Sequence, residues 1–278
     1  MDINQLLDKA RGYLPPEKLK LIEEAYRFAA EAHRGQTRMS GGPFMKHPLE
    51  TAMILAELQL DAHSLVAALL HDVVEDAGVS LAEVEKRFGP EVGKLVDAVT
   101  KMSNIAWMAS HSPSVATKEP EEEQADTLRQ SGGDGQHAEN LRRMLLAMAE
   151  DLRVVFIKLA YRLHNMRTLG ALPAERRKRI AQETLDIFAP LADRVGMWET
   201  KWQLEDLAFH YLEPRAYQQV ARQLAHRRAQ REAFVERFTE QLKTALDKEG
   251  IEAEVSGRPK HIYSIHQKMK RYAARGKE

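Results

Sequence analysis

The sequence predicts a mainly all-α protein in which an α/β unit begins near the C-terminal end. Three observations carry this. Apolar residues recur at helical spacing through most of the 278 residues. A late run, Ile251-Glu252-Ala253-Glu254-Val255, alternates apolar and polar, the period of a half-buried strand. From Gly257 to Lys277 there follow seven Lys or Arg and no acid, read as a turn and a short basic helix.

Taken in order, the first expected helix runs from Pro16 to His33, with apolar residues at 19, 22, 25/26 and 29 and Gly35 as a stop. Others are expected near 48–59, 62–76, 80–88 and 90–101, with Ser80 as an N-cap and Pro90 in a first turn. Residues 103–137 break the pattern. They are rich in Ser, Glu, Gly and Pro, and two basic residues stand against six acidic ones. Such a segment buries too little apolar area to offset chain entropy, so a mobile insert is expected. Helical periodicity resumes at about 138 and continues to Gly170; further helices are expected near 173–189, 190–210 and 214–249, with Gly250 ending the last. A lone strand at 251–255 has no ladder partner, so a second domain is expected to begin here without being completed.

Composition bounds the chemistry. Lys plus Arg equals Asp plus Glu, so the formal net charge is zero and gives no argument for a nucleic-acid partner. There is no cysteine, which excludes disulfides and thiolate metal sites. A metal would need His, carboxylate and water, a donor set suited to Mn²⁺, Mg²⁺, Fe²⁺ or Zn²⁺. No apolar run reaches the ~18 residues of a membrane span, and the first residues lack a signal-peptide pattern. The expected location is cytoplasmic.

The chemistry-bearing pattern is LVAALLHDVVEDAG. His71-Asp72 follows an apolar stretch and is followed a turn later by Glu75-Asp76. On a helix these four fall within an arc of roughly 140° at ~100° per residue, so they share a face while Leu69, Leu70, Val73 and Val74 fill the core. Charge is costly next to such a run unless paired or metal-bound, and acids at a helix C-terminus oppose its dipole. Upstream, His47 follows the turn-prone Ser40-Gly41-Gly42-Pro43. Two histidines and several carboxylates suit a divalent cation.

Five segments in order, AHRGQTRMSGGPFMKHPLETA, LLHDVVEDAGVS, FGPEVGKLVDAVTK, KLAYRLHNMRTL and EVSGRPKHIYSIHQKM, make the chain resemble the N-terminal catalytic region of RelA/SpoT homologues. These are the bifunctional (p)ppGpp synthetase/hydrolases of the stringent response. The resemblance implies an all-α HD-type hydrolase domain at 1–196, containing the 103–137 insert. It implies linker helices and the truncated start of an α/β nucleotidyltransferase-like synthetase domain at 197–278. It further implies Mn²⁺ held by His47, His71 and Asp72, with Glu75 and Asp76 handling the attacking water and proton transfer. Arg38, Ser40, Gly41, Asn165 and Thr168 match guanine-nucleotide contacts. Arg258, Lys260 and Ser264 match the opening of the synthetase site. The implied partners are ppGpp, pppGpp, GDP and GTP, with neither membrane nor direct nucleic-acid contact.

The chain departs from the family at two positions. The Arg-Lys pair often found in the first loop is Arg38-Met39, and the aspartate expected as fourth metal ligand is Tyr161. Tyr161, Asn165 and Thr168 have i, i+4, i+7 spacing, which puts the tyrosine on the stripe of the nucleotide contacts. A phenol with a reference pKa of ~10 is neutral at neutral pH unless a metal acts on it. Weakened hydrolysis of the 3′-pyrophosphate is therefore expected. Two other readings stand beside this one: a GTP pyrophosphokinase, whose activity is expected to be undetectable in an incomplete domain, and a regulatory half that binds (p)ppGpp without cleaving it.

Overall fold

The computed structural model describes residues 2–36, 43–110, 151–225, 228–257 and 259–275. Among them the regular structure is helical, with no strand. The chain divides into two compact units, Met1–Ala171 and Leu172–Glu278.

The first unit contains α1 (Ile3–Arg11), α2 (Pro16–Ala32), α3 (Lys46–Glu57), α4 (Ala62–Asp76), α5 (Leu81–Phe88), α6 (Pro90–Ser110) and α7 (Leu152–Arg167). Its centre is α4, which packs against α2, α3, α6 and α7. The sequence explains this position. Residues Leu65 to Leu70 and Val73 are fully buried, and a helix apolar on every side is stable only when surrounded. Asp61 starts α4 by accepting from the backbone N–H groups of His63 and Ser64. Ser80 caps α5 by accepting from the Glu83 N–H, as expected.

The helix from Pro90 runs on to Ser110 rather than stopping near 101, so the first part of the expected insert is helical. SNIAWMAS contains neither Gly nor Pro, and nothing in it breaks the backbone pattern. The rest of the 103–137 insert lies outside the described residues.

The second unit begins with α8 (Ala174–Glu183), a π-helical turn at Thr184–Phe188, and α9 (Ala189–Arg194). It continues with α10 (Trp198–Leu212), α11 (Pro214–Ala225), α12 (Arg228–Lys248) and α13 (Ile262–Ala273). The break expected at 189–190 falls instead at 195–197, where Gly196 takes φ +78°. Pro190 does not end the helix, because the widened turn before it eases the clash with the carbonyl four residues back. The expected 214–249 helix is seen over Pro214–Ala225 and Arg228–Lys248, with 226–227 outside the described residues.

The strand expected at 251–255 is absent: the segment has no regular structure and Ile251 is exposed. Among the described residues no second strand offers a ladder. The short basic helix is present as α13, seated on α10. Asp206 of α10 accepts from the backbone N–H of Tyr263 at 2.8 Å, and Trp202 stacks on His261 with ring centroids 3.8 Å apart. Because His261 makes no side-chain cap of its own, a carboxylate from the neighbouring helix takes that role.

Candidate metal centre

His47 lies on α3, and His71 and Asp72 lie on α4; all three are buried. One ligand atom from each falls within 4.8 Å of the other two. His47 Nε2 is 4.0 Å from Asp72 Oδ2, and His71 Nε2 is 2.8 Å from Asp72 Oδ1.

His71 shows what this grouping suits. Its Nδ1 lies 2.7 Å from the Ala68 carbonyl oxygen, which only accepts, so Nδ1 carries the proton and Nε2 the lone pair. That buried Nε2 makes no hydrogen bond, although a carboxylate oxygen is beside it. Two electron-rich atoms in a dry pocket repel each other unless a positive charge joins them. The donor set therefore fits a divalent cation of the type that imidazole and carboxylate share.

Tyr161 of α7 closes the other side. Its ring meets His47 edge-on at 4.8 Å and His71 edge-on at 5.2 Å between centroids. Lys158, one turn earlier and buried, places Nζ 5.0 Å from the same ring. Burial pushes the Lys158 pKa down to about 8 against the pull of Glu75 and Asp72.

Glu75 and Asp76 continue α4 outward and are exposed, whereas His71 and Asp72 are buried. The Glu75 carboxyl is raised above its ordinary value chiefly by loss of water around it; Lys158 opposes the shift and Asp72 adds to it. Gln36 ties this end of α4 to the segment after α2. His33 Nδ1 donates to Gln36 Oε1 at 2.8 Å, and Gln36 Nε2 donates to the Asp76 carbonyl at 3.2 Å. His33 also stacks on Phe44, with centroids 4.0 Å apart.

Arg38, Ser40 and Gly41 lie between these anchors, outside the described residues. Asn165 is half-buried at the end of α7, whereas Thr168 is exposed and turns its hydroxyl back to the carbonyls of His164 and Asn165. In the second unit, Lys260 and Ser264 line a cavity of about 480 Å³ with Lys201, Lys268 and Arg271; Arg258 is outside the described residues. Sequence reasoning missed His164, whose Nδ1 lies 2.5 Å from Nδ1 of His47, and it missed Lys158 and Glu50. The available signal was spacing, since Lys158 and His164 flank Tyr161 by three residues and Glu50 follows His47 by three.

A family model described as an HD domain matches residues 25–198. A GTP pyrophosphokinase of Myxococcus xanthus is 45% identical over 258 residues, covering 93% of this chain and 31% of the relative. The bifunctional (p)ppGpp synthase/hydrolase SpoT of Escherichia coli K12 is 40% identical over 267 residues, covering 96% of this chain and 34% of the relative. The chain thus spans about a third of the length of the curated relatives it matches. A solved structure described as a metazoan ortholog of SpoT that hydrolyzes ppGpp aligns with 71% of this chain and 96% of its own, at 28% identity and a TM-score of 0.46.

Proposed function

The chain belongs to the HD-domain family, and we propose that it is a metal-dependent hydrolase acting on the 3′-pyrophosphate of ppGpp or pppGpp. The products would be GDP or GTP and pyrophosphate. The carrying observation is the convergence of His47, His71 and Asp72 below an exposed acidic pair. The similarity to SpoT supplies the substrate class. In this reading residues 1–196 form the hydrolase part, and 197–278 form linker helices and the opening of a synthetase domain with Arg258, Lys260 and Ser264 as its nucleotide contacts.

His47, His71 and Asp72 would hold Mn²⁺. When bound, the ion supplies Lewis-acid polarisation of a phosphoryl group and acidifies water. The Glu75 carboxyl is raised above its ordinary value, which suits it to take up a proton, and Glu75 and Asp76 together would handle the attacking water and proton transfer. Arg38, Ser40, Gly41, Asn165 and Thr168 would bind the guanine nucleotide. Tyr161 brings no negative charge to the cation, so turnover is expected to be weak.

A second reading, a (p)ppGpp-binding regulatory half, is favoured by Tyr161 alone. Pyrophosphate release from ppGpp, measured with and without excess Mn²⁺, separates the two. Release rescued by Mn²⁺ supports the hydrolase, whereas tight ppGpp binding without release supports the regulator and overturns the hydrolase.

A further inference from the structure

His164 of α7 is buried behind His47, and their Nδ1 atoms are 2.5 Å apart. A single proton fits between two nitrogens at that separation, so one ring donates and the other accepts. Which ring donates determines whether His47 can bind a cation. If His47 accepts at Nδ1, its proton sits on Nε2 and points at Asp72, and no lone pair remains for an ion. If His47 donates from Nδ1, Nε2 is bare.

Glu50, one turn after His47 on α3, decides between these. Its Oε2 lies 3.0 Å from His164 Nε2, with Lys46 Nζ more distant at 3.9 Å from Oε1. The contact is too far off the ring N–H axis for an aligned hydrogen bond, so it acts through charge. A carboxylate at that distance favours the proton on Nε2 of His164. His164 then accepts at Nδ1, and His47 must donate. On the other ligand the Ala68 carbonyl imposes the same tautomer on His71 directly. The two histidines thus reach one state by different routes, one through backbone and one through a side-chain relay.

We infer that Glu50 and His164 are positioning residues, a carboxylate–histidine relay that fixes the Nδ1–H tautomer of His47 and presents its Nε2 to a divalent cation. The inference rests on the proposed function only in that the site takes such a cation; it holds for any substrate. Outer partners of ligating histidines typically affect metal affinity by ~10–100-fold.

The test uses the whole chain with Mn²⁺ as the probe and two readouts. Calorimetric titration gives the affinity, and histidine ¹⁵N shifts of the metal-free protein at alkaline pH give the tautomer of His47. Glu50→Ala is expected to weaken Mn²⁺ binding by ~10–100-fold and to move His47 toward the Nε2–H form. Glu50→Gln keeps the side-chain shape but removes the charge, and is expected to weaken binding and move the tautomer in the same direction, which also covers failure of the alanine variant to fold. Unchanged affinity and tautomer in the folded variants, or no Mn²⁺ binding by the parent chain, would overturn the inference. Loss of affinity in Glu50→Ala without any ppGpp cleavage by the parent chain would remove the hydrolase reading and leave the relay standing.

Discussion

The ring of Tyr161 meets the imidazole of His47 edge-on, with centroids 4.8 Å apart and planes at 85°. An aromatic edge is its electropositive part, and edge-to-face pairs of this separation are mildly attractive. The tyrosine is thus packed into the cluster as a wall. What it adds is an aromatic surface and a phenol hydroxyl in place of a carboxylate.

Lys158 gives this wall a pH dependence. Its folded value of about 8 lies below the ordinary 10.5 because burial disfavours the ammonium. As pH rises, the folded chain releases this proton first. Between about 8 and 10.5 the unfolded chain therefore binds more protons, and stability rises with pH across that window. Denaturant unfolding of the metal-free protein should show the rise, and Lys158→Met should lack it. Parallel curves for the two chains above pH 8 would contradict the assignment.

At the far end of α7, acid should likewise lower stability, in a different pH window. Arg153 donates to Asp151 Oδ2 at 2.7 Å and to Glu91 Oε1 at 2.6 Å, and these bonds hold both carboxyls below their ordinary values. Depressed carboxylates contribute stability above their unfolded values of 3.8 and 4.5, and the contribution is lost as pH falls through the lower folded values. Arg153→Gln should therefore melt earlier than the parent at pH 7, by a margin that salt reduces. The two melting curves should converge as pH falls through those lower folded values. A margin independent of pH would show that Arg153 acts through packing instead.

In the second unit, Gly257 marks a close approach. A Cβ there would lie 2.6 Å from Thr239 Oγ1 and 2.7 Å from Val235 Cγ1 on α12. Gly257→Ala should destabilise the chain by about 1–3 kcal/mol, the usual range for overpacking. Adding Thr239→Ala should recover part of that loss. A neutral Gly257→Ala would mean that the segment is not held against α12.

Much of the helical layout was legible because its signals are local. The apolar run that ends in His71-Asp72 marks α4, and Ser80 marks the start of α5. The π-helical turn is not legible in the sequence, and only the packed helix shows how a wider turn accommodates Pro190 where a break was expected at 189–190. Alternation at 251–255 suggested a strand, but a ladder depends on a partner elsewhere in the chain. The grouping of His71 with Asp72 could be read from one helix, and the place of His47 from the segment around it. The relay could not be read this way. Glu50 and His164 are 114 residues apart, and each looks ordinary on its own helix until α3 and α7 are packed together.

We propose that His47, His71 and Asp72 hold a divalent cation and that Tyr161, where the family's pattern has an aspartate, weakens the site. The decisive measurement is Mn²⁺ titration of the parent chain and of Tyr161→Asp, each followed by pyrophosphate release from ppGpp. Tyr161→Asp is expected to bind Mn²⁺ at least ~10-fold more tightly and to release pyrophosphate at lower Mn²⁺ concentration than the parent. Equal affinity in the two chains, with no release from either, would contradict the proposal.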